Sequence, residues 1–391
     1  MRPAFLKKYF FVLTVALLVC MTAAVFTPLR QENAEAAHAA QLPPSSSMVM
    51  MESSTGRVLY SQDAFTRRRM ASTTKIMTAL IVLETCKPED IVTVDKQAQG
   101  VEGSSIYLRT GDKLSVEQLL YGLMLRSGND CAVALAIHTA GSVEDFAKMM
   151  NAKAQELGLK DTSFKNPHGL DDEDHYTTAY DLAVISCCAM RNPHFRTIVS
   201  TSKFTIPAGQ SEGDYQRILF NKNKMLNLIE GGNGIKTGYT KKAGRCLVSS
   251  CKRGELEAVC VVLNCGPMFE ISSALFETMY SEYSLHRLLD DYQQVCEATP
   301  PESDKPVKLF SRKGFSYPLK ESEIKNISTR IEVDEKKLLD KPNPDGVGKI
   351  KIYYDNNLIF SQKLYTIYDV EDKNFLQSID RVLQNYFLRY Y

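Results

Sequence analysis

At 391 residues, 44% hydrophobic and 24% charged, the chain is long enough for two or three globular domains, and its composition excludes a disordered class. Its 47 Lys and Arg against 46 Asp and Glu give a formal charge of +1, and it has no basic block with interleaved aromatics, which argues against a nucleic-acid partner.

The N-terminus places Arg2, Lys7 and Lys8 before an apolar run from Tyr9 to Phe26, followed by Ala34-Glu35-Ala36 and further small residues. This is the build of a secretory signal peptide over residues 1–36, cut after Ala36 or Ala39. The alternative is an uncut membrane anchor, because the run is close to the ~18 apolar residues needed for a span. With Cys20 inside that run set aside, nine cysteines remain, an odd number, so at least one thiol is free or paired between chains. Spacings such as Cys187-Cys188 or Cys246 with Cys251 match no zinc pattern, so no metal or other cofactor is expected. One cross-strand disulfide, Cys246 to Cys260, stays open.

Met48–Met51 and Arg57–Tyr60 flank the Gly-bearing turn Ser53-Ser54-Thr55-Gly56 and predict a β-hairpin. Next comes Ser72-Thr73-Thr74-Lys75, opening the apolar run Ile76–Leu83, and a helix hydrophobic all round belongs in the middle of a domain. Ser72 and Lys75, three apart, share a face of that helix. A serine hydroxyl is a poor nucleophile until a neighbouring base takes its proton, and a lysine is such a base only when neutral. Being half neutral near pH 7 requires its pKa of ~10.4 to fall by roughly 3 units, which burial and a second nearby cation can achieve. The spacing alone identifies nothing, since it recurs at Ser200 to Lys203, Ser249 to Lys252 and Ser322 to Lys325.

The helix stops before Pro88. Ser115-Val116-Glu117-Gln118 has the form of a capping box and starts a helix that breaks at Ser127-Gly128-Asn129-Asp130. Ala132–Ala140, Ser142–Leu157 and Ala179–Met190 continue a helical cluster, ended by Asn192-Pro193. From Phe204 the pattern turns to β, clearest in Ile235–Thr240, Arg245–Cys251 and Ala258–Leu263, the last two joined at Arg253-Gly254. A helix over 270–285 precedes a Pro- and charge-rich stretch at 297–306, and alternating strands follow around Asp355-Asn356-Asn357. Finally, Phe375, Leu376, Ile379, Val382, Leu383, Tyr386, Phe387 and Tyr390 fall on one face of a C-terminal helix.

Three short motifs in this order, Ser72-Thr73-Thr74-Lys75, Ser127-Gly128-Asn129 and Lys236-Thr237-Gly238, resemble the signature of the penicillin-binding serine enzymes. With Asn166-Pro167-His168-Gly169-Leu170 and Gly234-Ile235-Lys236-Thr237-Gly238-Tyr239-Thr240, the chain from about Met48 onward is similar to low-molecular-weight D-alanyl-D-alanine carboxypeptidases, peptidase family S11.

The resemblance implies an α+β architecture: a β-lactamase/transpeptidase-like domain over residues 41–290, with a helical cluster on a five-stranded antiparallel sheet. A linker at 297–306, a small all-β domain over 307–368 and an amphipathic helix over 369–391 would follow. It further implies that Ser72 attacks the carbonyl between two terminal D-alanines of a peptidoglycan stem peptide while Lys75 takes its proton. Ser127 would relay a proton to the leaving D-alanine and Asn129 would orient Lys75 or substrate. Lys236 and Thr237 would hold the terminal carboxylate beside Gly238, and the Ser72 and Tyr239 N–H groups would form the oxyanion hole. β-Lactams would acylate the same serine, and the enzyme would work outside the cytoplasmic membrane, with the C-terminal helix as a peripheral membrane contact.

Met70 stands where the family often has proline. Gly128 replaces the Asp common in β-lactamases, and no Glu-x-x-Leu-Asn segment lies between Asn129 and Lys236, so rapid β-lactam hydrolysis is disfavoured. Two other classes stay in view: a non-catalytic penicillin-binding sensor, and a metallopeptidase built on His168, His175 and Asp171–Asp174. Asn166–Gly169 reads as a turn rather than as chemistry.

Overall fold

The protein was analysed as a computed structural model that describes residue 43 and residues 46–209, 215–301, 305–339, 343 and 345–366. The expected signal peptide and C-terminal amphipathic helix lie outside the described residues. Among those described, no helix is long and apolar enough to cross a membrane.

The chain divides into two compact units, up to Ser281 and from Glu282 onward. In the first, the expected hairpin forms from β1 (Ser47–Glu52) and β2 (Val58–Gln62), its turn tied by the Glu52 carboxylate to the Ser54 and Thr55 amides at 2.9 and 2.8 Å. The central helix α1 (Lys75–Thr85) is buried through Val82 and touches five other helices, as its all-round hydrophobicity requires. β3 (Ile91–Thr93) pairs with β4 (Lys113–Ser115), whose last residue caps α2 (Val116–Leu125) through the predicted reciprocal Ser115–Gln118 box. Three helices follow: α3 (Asn129–Ala140), α4 (Val143–Glu156) and α5 (Ala179–Met190). Asn192-Pro193 ends α5 and also starts α6 (Pro193–Ser200), which the sequence reading missed: Asn192 caps it by accepting from the His194 and Phe195 amides.

β5 (Lys203–Ile206) and β6 (Arg217–Phe220) form a hairpin, and the short α7 (Met225–Leu228) leads to β7 (Gly232–Thr240), β8 (Gly244–Arg253) and β9 (Leu256–Leu263). The main sheet is five-stranded and antiparallel, in the order β2-β1-β9-β8-β7. β1 and β9, buried along their whole length, are interior strands, while β7 is an edge with one row of backbone groups unpaired by the sheet. α8 (Met268–Glu282) buries Ile271, Leu275, Phe276 and Met279, and the Tyr280 hydroxyl donates to the carbonyls of Cys251 and Leu256 on the sheet. The α+β class and the five-stranded antiparallel sheet are as expected.

All nine cysteines among the described residues are free thiols. Cys246 lies opposite Gly238, and Cys260 lies opposite Ser249 and Met50, so the pair the sequence left open is out of register.

The second unit contains β10 (Ser284–Leu289), β11 (Gln294–Ala298), β12 (Val307–Phe310), β13 (Phe315–Leu319), β14 (Ile327–Val333), β15 (Gly348–Tyr354) and β16 (Asn357–Thr366). It begins earlier than expected: β10 pairs with β13, and β11 pairs with β12. β11 and β12 flank residues 299–306 and pair with each other inside this unit, so the expected linker does not separate the two units. β15 and β16 turn at Asp355 and Asn356, both at positive φ, the conformation a two-residue hairpin loop demands. The core of this unit gathers Leu289, Leu309, Val347, Ile350, Ile352 and Leu364.

Candidate active site

Ser72 lies in a 3-10 turn, Ala71–Thr74, so Lys75 is the first residue of α1 proper. Ala71 sits at φ +48°, unusual for a residue with a side chain, and the turn is held there from several directions. The Thr73 hydroxyl donates to Met70 O at 2.6 Å and the Thr74 hydroxyl to Ala71 O at 2.8 Å. His175 buttresses the second bond. Its Nδ1 accepts from the Lys165 amide at 3.0 Å, so the ring proton is on Nε2, which donates to Thr74 Oγ1 at 2.8 Å. Burial keeps His175 neutral, with its pKa pushed down to about 4. Behind the turn passes Gly169 at φ +89°, where a Cβ would stand 1.9 Å from Ala71 O, so no other residue fits there.

Lys75 is fully buried and its Nζ has three partners: Ser72 Oγ at 3.1 Å, Asn129 Oδ1 at 2.7 Å and the His168 carbonyl at 2.6 Å. That carbonyl is offered by an Asn-centred turn. Asn166 Oδ1 accepts from the Gly169 amide at 2.7 Å, and Thr78 of α1 donates to Pro167 O at 2.6 Å. Asn129 is fixed in turn by donating to Glu102 O at 2.5 Å, while its amide donates to Ser104 O at 2.7 Å. Burial first and the Lys236 charge second push Lys75 well below the ordinary lysine range.

Ser127 is buried in the break before α3 at φ +65°, two residues from Asn129. β7 brings the third motif. Lys236 is buried and donates to Thr237 O at 2.9 Å, and burial together with the Lys222 charge brings its pKa down to about 7. Gly238 lets β7 lie against the Ala71–Thr74 turn: a Cβ there would stand 3.1 Å from both Ser72 N and Met70 O. Thr237 is half-buried and Tyr239 is exposed.

All eight candidate residues thus stand in one unit, on the 3-10 turn with α1, the α3 break and β7, and the Lys75 and Gly238 contacts tie the three elements together. The metallopeptidase reading fails on the histidines. His175 has both ring nitrogens engaged, and His168 Nδ1 accepts from the Leu170 amide at 3.2 Å. Sequence reasoning missed three parts: the His168 carbonyl, the His175 buttress, and Lys222, which donates to Ser104 Oγ at 3.2 Å and adds a third cation to the site. Asn221-Lys222-Asn223, directly after a strand, was the available signal for Lys222.

A family profile described as D-alanyl-D-alanine carboxypeptidase matches residues 33–266, and one described as penicillin-binding protein 5, C-terminal domain, matches residues 284–372. The chain is 34% identical over 322 residues to the D-alanyl-D-alanine carboxypeptidase DacF of Bacillus subtilis, covering 77% of this chain and 81% of that protein. It is 31% identical over 341 residues to DacD of Escherichia coli, covering 83% and 86%. Among solved structures it is similar to penicillin-binding protein 5 of Haemophilus influenzae, with a TM-score of 0.71 at 27% identity, covering 85% of this chain and 99% of that one.

Proposed function

From a chain that belongs to the S11 family of D-alanyl-D-alanine carboxypeptidases, we propose a mechanism in which Ser72 Oγ attacks the carbonyl between two terminal D-alanines and Lys75 accepts its proton. The activity is serine-type hydrolysis of the terminal D-alanine from peptidoglycan stem peptides, and β-lactams acylate the same class of site.

One observation carries the role of Lys75. A neutral amine has two N–H donors and one lone pair, and Lys75 has three neighbours. Asn129 Oδ1 and the His168 carbonyl can only accept, so they take the two N–H groups. The lone pair is left facing Ser72 Oγ, as a general base requires.

Attack forms the Ser72 Oγ–C bond and places negative charge on the carbonyl oxygen, which the Ser72 and Tyr239 N–H groups stabilise; such donors carry about 3–4 kcal/mol each. Collapse breaks the C–N bond, and the proton taken by Lys75 passes through Ser127 to the amine of the leaving D-alanine. Water then releases the acyl group from Ser72. The substrate lies along the free edge of β7, with its terminal carboxylate on Lys236 and Thr237.

Lys236→Gln tests that placement. It is expected to lower kcat/KM by about 10- to 100-fold for peptides with a free terminal carboxylate, and by less than about threefold for amidated analogues. Because Lys236 loses its charge as pH rises through about 7, wild-type kcat/KM should fall on that side for carboxylate substrates and not for amidated ones. Equal losses for both substrates would remove Lys236 from carboxylate recognition. D-alanine release by the purified protein separates this reading from a non-catalytic sensor, and persistence of the penicillin adduct separates it from a β-lactamase.

We place the enzyme outside the cytoplasmic membrane, exported by residues 1–36 and held at the membrane by the apolar face of residues 371–391. Lys373, Arg381 and Arg389 are balanced there by Glu371, Asp372 and Asp380, so apolar burial rather than charge would drive the contact. The chain starting at Ala37 should float with liposomes even in high salt. Recovery in the aqueous fraction would make the helix a packing element.

A further inference from the structure

Tyr107 is the most exposed large apolar side chain among the described residues at 74%, and Tyr239 follows at 63%. They stand on different elements: Tyr239 on β7 beside Gly238, and Tyr107 on the loop 102–108, whose Glu102 and Ser104 carbonyls hold Asn129. Tyr107 also has φ +61°, a conformation that a bulky residue adopts only under outside constraint.

The constraint is visible on both sides. The buried Asp130 carboxylate accepts from the Ile106 and Leu108 amides at 3.0 and 3.1 Å and from the Ser105 hydroxyl at 2.6 Å. Ser105 Oγ accepts the Tyr107 amide at 2.8 Å, and the Tyr107 carbonyl accepts from the Tyr215 hydroxyl and Arg217 at 3.3 and 3.4 Å. Arg217 is anchored by Asp112 at 2.8 Å. A glycine or asparagine would take this conformation at less cost. The fold instead fixes an aromatic ring in solvent at the rim of the site, where its burial can come only from something that binds.

We propose that Tyr107 is a specificity-determining residue whose ring packs against the aliphatic side chain of the stem-peptide residue preceding the D-Ala-D-Ala pair. This rests on the carboxypeptidase reading above. Gly103 abuts the Asn129 side chain, and Tyr107, four residues further on, lies within roughly 14 Å of Gly103 along the chain. In the reading above the D-alanine pair is taken by β7 and the reacting pair, so the part of the peptide left to meet a ring on the loop 102–108 is upstream of it. The next residue upstream is the first whose side chain is left to meet the exposed ring, and a ring with few rotatable bonds loses little freedom in receiving it.

The test compares D-alanine release from two pentapeptides, one with a lysine-length side chain at the third position and one with alanine there. Wild type is expected to favour the longer side chain by about tenfold in kcat/KM. Tyr107→Gly and Tyr107→Asn should cleave both at the rate wild type shows for the alanine peptide, with a Tm no lower than wild type, whereas Tyr107→Phe should keep the preference. A preference retained in both the Gly and Asn variants, or absent from wild type, would overturn the assignment. Failure of wild type to release D-alanine from either peptide would overturn the carboxypeptidase reading instead.

Discussion

Ser72→Ala is expected to abolish penicillin labelling and D-alanine release together, by about 10⁴-fold or more, since the bond-forming atom is gone and the remaining groups act only through it. The fold should be nearly untouched. The hydroxyl is small, and the 3-10 turn that carries it is held by Thr73, Thr74 and His175, not by Ser72. Lys75 keeps both its acceptors, Asn129 Oδ1 and the His168 carbonyl, when the serine hydroxyl is removed. A shift in Tm of less than about 3 °C is therefore expected. Intact-mass spectrometry after incubation with penicillin reads the chemical half and thermal unfolding the structural half. A penicillin adduct on the variant would show that another residue is the nucleophile.

The site was legible wherever its chemistry is carried by side chains at fixed local spacing. Ser72 and Lys75 are neighbours because they are three apart at a helix entrance, and Lys236 and Gly238 share a face because strands alternate. The His168 carbonyl was not legible, because every residue has a carbonyl and only the turn made by Asn166 aims this one at Lys75. The signal was the glycine beside it: Gly169 is demanded by a clash with Ala71, a residue 98 positions earlier, which no local pattern encodes.

The same limit explains the misplaced domain boundary. Pro and charge at 297–306 mark a turn equally well inside a sheet or between domains, and only the pairing of β11 with β12 decides. Likewise the Cys246 and Cys260 thiols are on adjacent strands, yet their register against Gly238 and Ser249 keeps them apart.

Lys75→Arg should cost nearly as much activity as Lys75→Met, about 10³-fold or more, although it keeps the charge. A guanidinium cannot give up a proton in the accessible pH range and so cannot serve as the base. It also fits the site poorly: its donors outnumber the two acceptors that hold the amine, and its permanent charge would be enclosed beside Lys236, where burial already disfavours one cation. Lys75→Met is the cleaner variant, because it fills the volume without a charge. The pH dependence separates loss of the base from loss of packing. In wild type, acylation by an amidated peptide, which lacks the Lys236 limb, should rise with pH until Lys75 is deprotonated, and since burial and Lys236 hold its pKa well below the lysine range, the plateau should be reached far below pH 10. Both variants should lack that rising limb. If Lys75→Arg acylates within tenfold of wild type, or keeps the same limb, the proton of Ser72 goes to a different group.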